Sequence, residues 1–169
     1  MTRSEIAAMV ARIIDDKPDL NRHYPSNFTD MKDSAWYDDA VGYIVDKKIM
    51  TGYPDGSFKP NAPITRAEYA QVVSKFRTLT GTDGMTFSDV PNAHWAHDAI
   101  LGIATGGWVK GYPDGSFKPE RLITRAEIVT ITNAMLNREA DKSFVDNHVG
   151  DMIHWIDLEK SHWAYYGIR

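Results

Sequence analysis

Cysteine is absent from the 169 residues. That excludes a disulfide framework and a thiolate metal site, and leaves the redox compartment open. No apolar run approaches the roughly 20 residues of a membrane-spanning helix, so no membrane span is expected. Basic residues are outnumbered, 19 Lys and Arg against 23 Asp and Glu, and they are scattered. A nucleic-acid partner is therefore not expected either. Catalytic signatures are missing too: no nucleophile elbow, no glycine-rich phosphate loop, no His-Glu-x-x-His. The chain opens directly into a helical pattern without a secretory leader, so any export signal is expected outside this stretch.

What is present is a globular apolar fraction of 43% and an internal repeat. Gly-Tyr-Pro-Asp-Gly-Ser-Phe-Lys-Pro stands at 52–60 and again at 111–119, 59 residues later. Ile-Thr-Arg-Ala-Glu follows at 64–68 and 123–127 with the same offset. Phe28-Thr-Asp30 recurs as Phe87-Ser-Asp89, and Trp36 as Trp95. Trp155-Ile-Asp157 and His162-Trp163-Ala164 repeat that opening once more, and Thr2-Arg3-Ser4-Glu5 matches 65–68. The chain thus divides into the back half of one repeat (1–24), two whole repeats (28–80 and 87–139), an insertion (140–154) and the front half of a fourth (155–169).

Each whole repeat reads as helix, loop, helix. The first helix is expected to open at Ser34 or Asn92, with the tryptophan in its first turn. Tyr-Pro-Asp-Gly has the chemistry of a type I turn: proline presets φ, and the aspartate bonds its own backbone. Thr65 with Glu68, Thr124 with Glu127 and Thr2 with Glu5 form capping boxes for the second helix. Behind each box, apolar positions at i, i+3, i+4 and i+7 make one stripe: Ile6, Met9, Val10, Ile13; Tyr69, Val72, Val73, Phe76; Ile128, Ile131, Thr132, Met135. Three such stripes suggest three equivalent helices around a pseudo-threefold axis, one wall being less apolar at Thr132. The fold class expected is mostly α, tandem helix–loop–helix repeats.

Arg3, Arg66 and Arg125 each hold the first helical position. A cation there opposes the helix dipole at a cost of about 0.3–1 kcal/mol, so an anion should compensate. Two readings stand open. One is an internal carboxylate such as Asp30, Asp89 or Asp157. The other is a bound anionic ligand met by free helix N–H groups and a guanidinium fork. Trp36, Trp95 and Trp163 are expected to pack in the core, the commoner role of such aromatics; stacking on a sugar face is the alternative. Asp55 and Asp114 stand beside Lys59 and Lys118, which favours turn formation over calcium binding. Ser57 and Ser116 bond either a ligand or their own turn. His94 and His97 suit a metal in spacing, but no third ligand is indicated, so a capping or solvated role is expected. Asp38 and Asp39 are adjacent, diverge on a helix, and do not form an acid–base pair.

Phe-Ser-Asp-Val, His-Trp-Ala, Gly-Tyr-Pro-Asp-Gly-Ser-Phe-Lys-Pro and Ile-Thr-Arg-Ala-Glu in this order resemble the S-layer homology module of bacterial surface proteins. The resemblance covers nearly the whole chain. It implies a helical pseudo-threefold spindle whose inter-module grooves bind pyruvylated secondary cell-wall polysaccharide attached to peptidoglycan. The protein would then be extracellular, held on the cell wall or in an S-layer, without catalysis, cofactor or metal. Arg66, Arg125 and Arg3 would be the principal ligand contacts. The tryptophans and the loop residues Gly52, Asp55, Ser57, Lys59 and Gly111, Asp114, Ser116, Lys118 would shape the groove. Ala35-Trp36 departs from the usual His-Trp pair. The half-repeat at 155–169 would pair with 1–14, or a homo-oligomer would form through exposed half-modules. The alternative function is self-association without glycan binding.

Overall fold

A computed structural model of the chain describes residues 1–14, 22–32, 34–76, 84–138 and 143. The expected insertion, apart from residue 143, and the fourth half-repeat with Trp163 and Asp157 lie outside them. Among the described residues five helices appear in order: α1 (Arg3–Ile13), α2 (Asp38–Asp46), α3 (Arg66–Ser74), α4 (His97–Thr105) and α5 (Arg125–Met135). Among the described residues the only extended pairing is an isolated bridge between Thr2 and Pro63. The protein is mostly α-helical, as its periodicity implies.

The chain forms two compact units, Met1–Thr65 and Arg66–Arg169. The boundary falls inside the whole repeat 28–80, so the compact units and the sequence repeats are out of register. In each unit a helix that opens with the arginine packs on the first helix of the repeat that follows it: α1 on α2, and α3 on α4.

In the first unit α1 buries Ile6, Ala7, Val10 and Ala11, α2 buries Val41, Tyr43 and Ile44, and the two helices pack on each other. Thr2 and Glu5 close the capping box, as their spacing implies. Phe58 of the loop is fully buried, which contributes roughly 1.5–3 kcal/mol. Its ring lies 5.3 Å from that of Phe28. Gly52 has no room for a side chain: a Cβ would lie 2.2 Å from Cε1 of Phe28. The repeated Gly-Tyr-Pro-Asp-Gly loop therefore closes on the Phe-x-Asp opening of its own repeat.

The second unit repeats this plan. Phe117 lies 5.4 Å from Phe87, and a Cβ on Gly111 would lie 2.4 Å from Cε1 of Phe87. Here α3 meets both α4 and α5. The less apolar position, Thr132, is buried, and its hydroxyl pairs with that of Tyr69 and bonds the Ile128 carbonyl at 2.7 Å. The polar atom is satisfied, so the wall loses little. Burial raises the Tyr69 phenol to about 12, with the Thr132 bond opposing.

The first helices begin later than expected, at Asp38 and His97 rather than Ser34 and Asn92. Ser34 has φ of 64° and cannot continue an α-helix. Turns bonded from Ala35 N–H to the Lys32 carbonyl and from His94 N–H to the Pro91 carbonyl occupy those positions. The tryptophans consequently stand on the turns. Trp36 is 66% and Trp95 60% exposed, so neither is the core residue expected.

Candidate functional site

The repeated loop is stiff for local reasons. Gly56 N–H bonds the Tyr53 carbonyl at 3.0 Å, closing the expected turn, and Gly115 does the same to Tyr112 at 2.9 Å. Both glycines have positive φ, 80° and 77°, where a side chain would be strained. Asp55 accepts the backbone N–H and the hydroxyl of Ser57, and Asp114 does so from Ser116. The side-chain bond from Ser57, then its N–H, lowers Asp55 to about 2; Asp114 is lowered by the same groups of Ser116. Both serines are buried and serve their own turns. Lys59 and Lys118 remain exposed, each with its ammonium 4.2 Å from a tyrosine ring centre of the same loop.

The anions proposed for the arginines are engaged elsewhere. Asp30 accepts the N–H groups of Phe58 and Lys59 at 2.8 and 2.7 Å. Asp89 accepts those of Phe117 and Lys118 at 2.8 Å each. They tie the loop to its repeat opening, and hold Lys59 and Lys118 in left-handed backbone at φ of 56° and 59°.

Arg3 and Arg66 are instead seated inside the loop of the next repeat, 5% and 4% exposed. Arg3 donates from Nε to the Phe58 carbonyl at 2.8 Å and from Nη2 to the Thr51 carbonyl at 2.8 Å. Its guanidinium lies 4.7 Å from the ring centres of both Tyr53 and Phe58. Arg66 donates from Nε to the Phe117 carbonyl at 2.9 Å and pairs through Nη1 with Glu127. Tyr112 and Phe117 present ring faces to it at 5.1 and 4.6 Å. Carbonyl oxygens and π faces thus supply much of the negative potential that a cation at a helix start requires. The carboxylate that meets Arg66 is Glu127, not Asp89.

The helix N–H groups are occupied in the same way. Arg3 and Ser4 donate theirs to the Ala62 and Pro60 carbonyls at 2.9 and 3.0 Å. Arg66 and Ala67 donate to the Arg121 and Pro119 carbonyls at 2.9 and 3.0 Å. These first-turn donors of α1 and α3 therefore satisfy the loop and are not offered to a ligand. Arg125, which opens α5, is exposed.

Glu127 carries two jobs that its sequence position showed only in part. It closes the capping box of α5, accepting from Thr124 N–H and hydroxyl at 2.8 Å each. It also collects Arg66, Arg121 at 2.6 Å and the Tyr112 hydroxyl at 3.2 Å. Burial raises its pKa, but the Thr124 donors and the two guanidinium groups overcome this and hold it below the usual value. Two guanidinium groups share one carboxylate, so the cluster keeps a net positive charge.

Arg66, Tyr112 and Glu127 of this cluster line a cleft of about 490 Å³ in the second unit. One wall is the segment 107–112 between α4 and the loop, with Trp108 and Lys110. The other is the α5 face bearing Thr130, Ile131 and Ala134. Arg66 comes from one sequence repeat and the remaining lining from the next. Of the residues anticipated for binding, Arg66 and Gly111 line this cleft; the structure does not bring the exposed Trp36 and Trp95 to it. Trp108 and Lys110 were not singled out by the repeat pattern. His94 accepts the Ala96 N–H at Nδ1, 3.1 Å, in the turn before α4, and His97 meets Asp98. Among the described residues no cluster of three or more His, Cys, Asp or Glu could hold a metal ion. Nor is any helix among them long and apolar enough to cross a membrane.

The S-layer homology domain family matches residues 27–70 and 86–129, more than half of the chain. The chain belongs to the S-layer homology family. Its relatives include the cellulosome-anchoring protein of Acetivibrio thermocellus, 34% identical over 99% of this chain and 37% of that protein. Cell surface glycoprotein 1 of the same organism is 33% identical over 98% of the chain and 7% of its own length. An S-layer protein of Bacillus licheniformis is 30% identical over 94% and 17%. The chain thus spans little more than a third, or less, of each of these relatives. The two matched S-layer homology segments open near Phe28 and Phe87, and each contains one copy of the loop and its arginine helix start.

Proposed function

We propose that this chain anchors a surface protein non-covalently to the bacterial cell wall by binding acidic, pyruvylated secondary cell-wall polysaccharide outside the cell. The observation that carries this reading is the cleft of the second unit. It combines the paired Arg66 and Glu127, the exposed ammonium of Lys110 that leaves its lining net positive, an indole and a tyrosine ring. Such a surface offers an apolar face to a sugar ring and a cationic partner to its carboxylate. Membership of a family whose relatives include anchoring and S-layer proteins supports it. No catalytic step is part of this reading. Arg66 contributes charge at the cleft base, and the Tyr-Pro-Asp-Gly loop shapes one end through Gly111 and Tyr112. The remaining loop residues, Asp55, Ser57, Lys59 and their copies, build the turn.

The test is co-sedimentation of the protein with purified cell walls before and after chemical removal of pyruvate. The expected result is retention on native walls and release from the treated ones. Equal retention on both would refute acidic-sugar binding.

A second reading, self-association, is favoured by one observation. Arg125 is exposed although the equivalent Arg3 and Arg66 are each enclosed by a loop. A loop from another chain would suit it. Light scattering that finds an oligomer unaffected by wall polymer would favour this reading over anchoring.

A further inference from the structure

The two units share their loops residue for residue, yet they differ in the strand of chain that leads into each loop. Trp108-Val-Lys110 enters the second loop. At the same register, 59 residues earlier, Ile49-Met-Thr51 enters the first. The backbone is the same in both. Trp108 N–H bonds the Ile103 carbonyl at 2.9 Å, and Ile49 N–H bonds the Ile44 carbonyl at 2.9 Å. The middle residue is buried in each case, Val109 at 7% and Met50 at 4% exposed. Alternation along extended chain then puts the flanking residues on the solvent side. In the second unit both flanking side chains line the cleft. The first unit has a branched aliphatic and a hydroxyl in their place.

The chemistry of these two differences is specific. Arg66 is committed to Glu127 and a carbonyl, and Arg121 shares the same carboxylate. Lys118 pairs with Asp114 at 3.5 Å. Lys110 is exposed and has no ion-pair partner among the described residues. It is the cation of the cleft best placed to meet a ligand carboxylate with its full charge. Two residues away on the same side, Trp108 presents an indole. A pyranose ring has an apolar C–H face that stacks on an indole, and its edge substituents then reach the neighbouring cation.

We propose that Trp108 and Lys110 determine the specificity of the second unit's cleft: the indole stacks on a sugar ring and the ammonium holds that sugar's carboxylate. The first unit, with Ile49 and Thr51, lacks this subsite. The inference rests on the wall-polysaccharide reading above, and adds which groups read the acid and that the two units are unequal.

The test uses the full chain, isothermal titration, and two defined probes: the methyl glycoside of a 4,6-pyruvylated N-acetylhexosamine, and its methyl ester. Wild type should prefer the acid by about tenfold or more, as for a charge-assisted contact. Lys110→Thr, which installs the first unit's residue at an exposed position, should abolish that preference, so that acid and ester bind alike. Trp108→Ile should weaken acid and ester alike, by about tenfold. Circular dichroism identical to wild type confirms that both variants fold. If wild type binds the acid and Lys110→Thr keeps the acid preference within twofold, the inference is overturned while anchoring stands. If wild type binds neither probe and is not retained on native walls, the anchoring reading itself falls.

Discussion

The two units seat an arginine in the same way but offer different surfaces beside it. In both, the guanidinium enters the loop of the following repeat, donates to the phenylalanine carbonyl and lies against the tyrosine and phenylalanine rings. In both, the first helical N–H groups bond the loop carbonyls. The nine-residue identity is therefore explained by architecture: glycine for closeness to phenylalanine, aspartate and serine for the turn, phenylalanine for the core. The cleft-lining difference, Trp108 and Lys110 against Ile49 and Thr51, falls just outside the identical stretch. The most repeated residues hold the repeats together, and chemical distinction lies next to them.

The largest effect expected from breaking this comparison is on the seated arginines. Arg66→Ala leaves a buried carbonyl unbonded and Glu127 with one cation fewer, and should cost about 3 kcal/mol or more. Arg3→Ala should destabilise the first unit to a similar degree, because it donates two equally short bonds to carbonyls, one of them buried. Urea denaturation followed in both variants checks this. A loss below about 0.5 kcal/mol, the range of surface changes, would show that these arginines are not structural.

The next effect separates the units by pH. Tyr69 belongs to the second unit only, and burial raises its phenol from 10.0 to about 12. A raised folded-state value means the native state keeps its proton where the unfolded chain has lost it. The stabilisation is complete below pH 10 and disappears as pH climbs toward 12, by roughly 2–3 kcal/mol in total. Thermal melts across that range should fall more steeply for wild type than for Tyr69→Phe. At the acid end the sign reverses. Asp55, lowered to about 2, and Asp114, also lowered, stabilise the loops above the ordinary value of 3.8 and release that contribution as pH falls through the folded value. Asp55→Asn should flatten the stability profile between pH 4 and 2 for the first loop, and Asp114→Asn should flatten it on the acid side of the ordinary carboxylate value for the second. Unaltered profiles would show that the serine bonds contribute nothing.

The smallest effect is expected at Arg125, which no loop encloses among the described residues. Arg125→Ala removes an exposed side chain and should change stability by no more than about 0.5 kcal/mol. A loss as large as that of Arg66→Ala would mean that Arg125 is seated after all.

Much of this organisation is legible in the sequence because it is local. The capping boxes of α1 and α5, the Tyr-Pro-Asp-Gly turn and the helical stripes depend on residues a few positions apart, and they form where the spacing places them. The seat of the arginines is not legible in that way. Their partners are backbone carbonyls about 50 residues on, and a carbonyl leaves no mark in a side-chain pattern. Glu127 reads as a cap, and its second role as the counter-ion of Arg66 appears only when two repeats are side by side. Trp36 and Trp95 misled for the opposite reason. Aromatic character suggests burial, but the left-handed Ser34 and the turns before α2 and α4 carry the rings outward. Trp108 and Lys110 are not marked by the repeat, because a repeat displays identity. The signal was the mismatch at the same register, Ile49 and Thr51.

The most direct measurement is amide hydrogen exchange on the full chain with and without native, pyruvylated wall polysaccharide. Protection concentrated at 107–112 and 127–134, with little change at 48–53, is the result expected if the second unit's cleft holds the acidic sugar. Protection equal in the two units, or centred on the turns bearing Trp36 and Trp95, would contradict it.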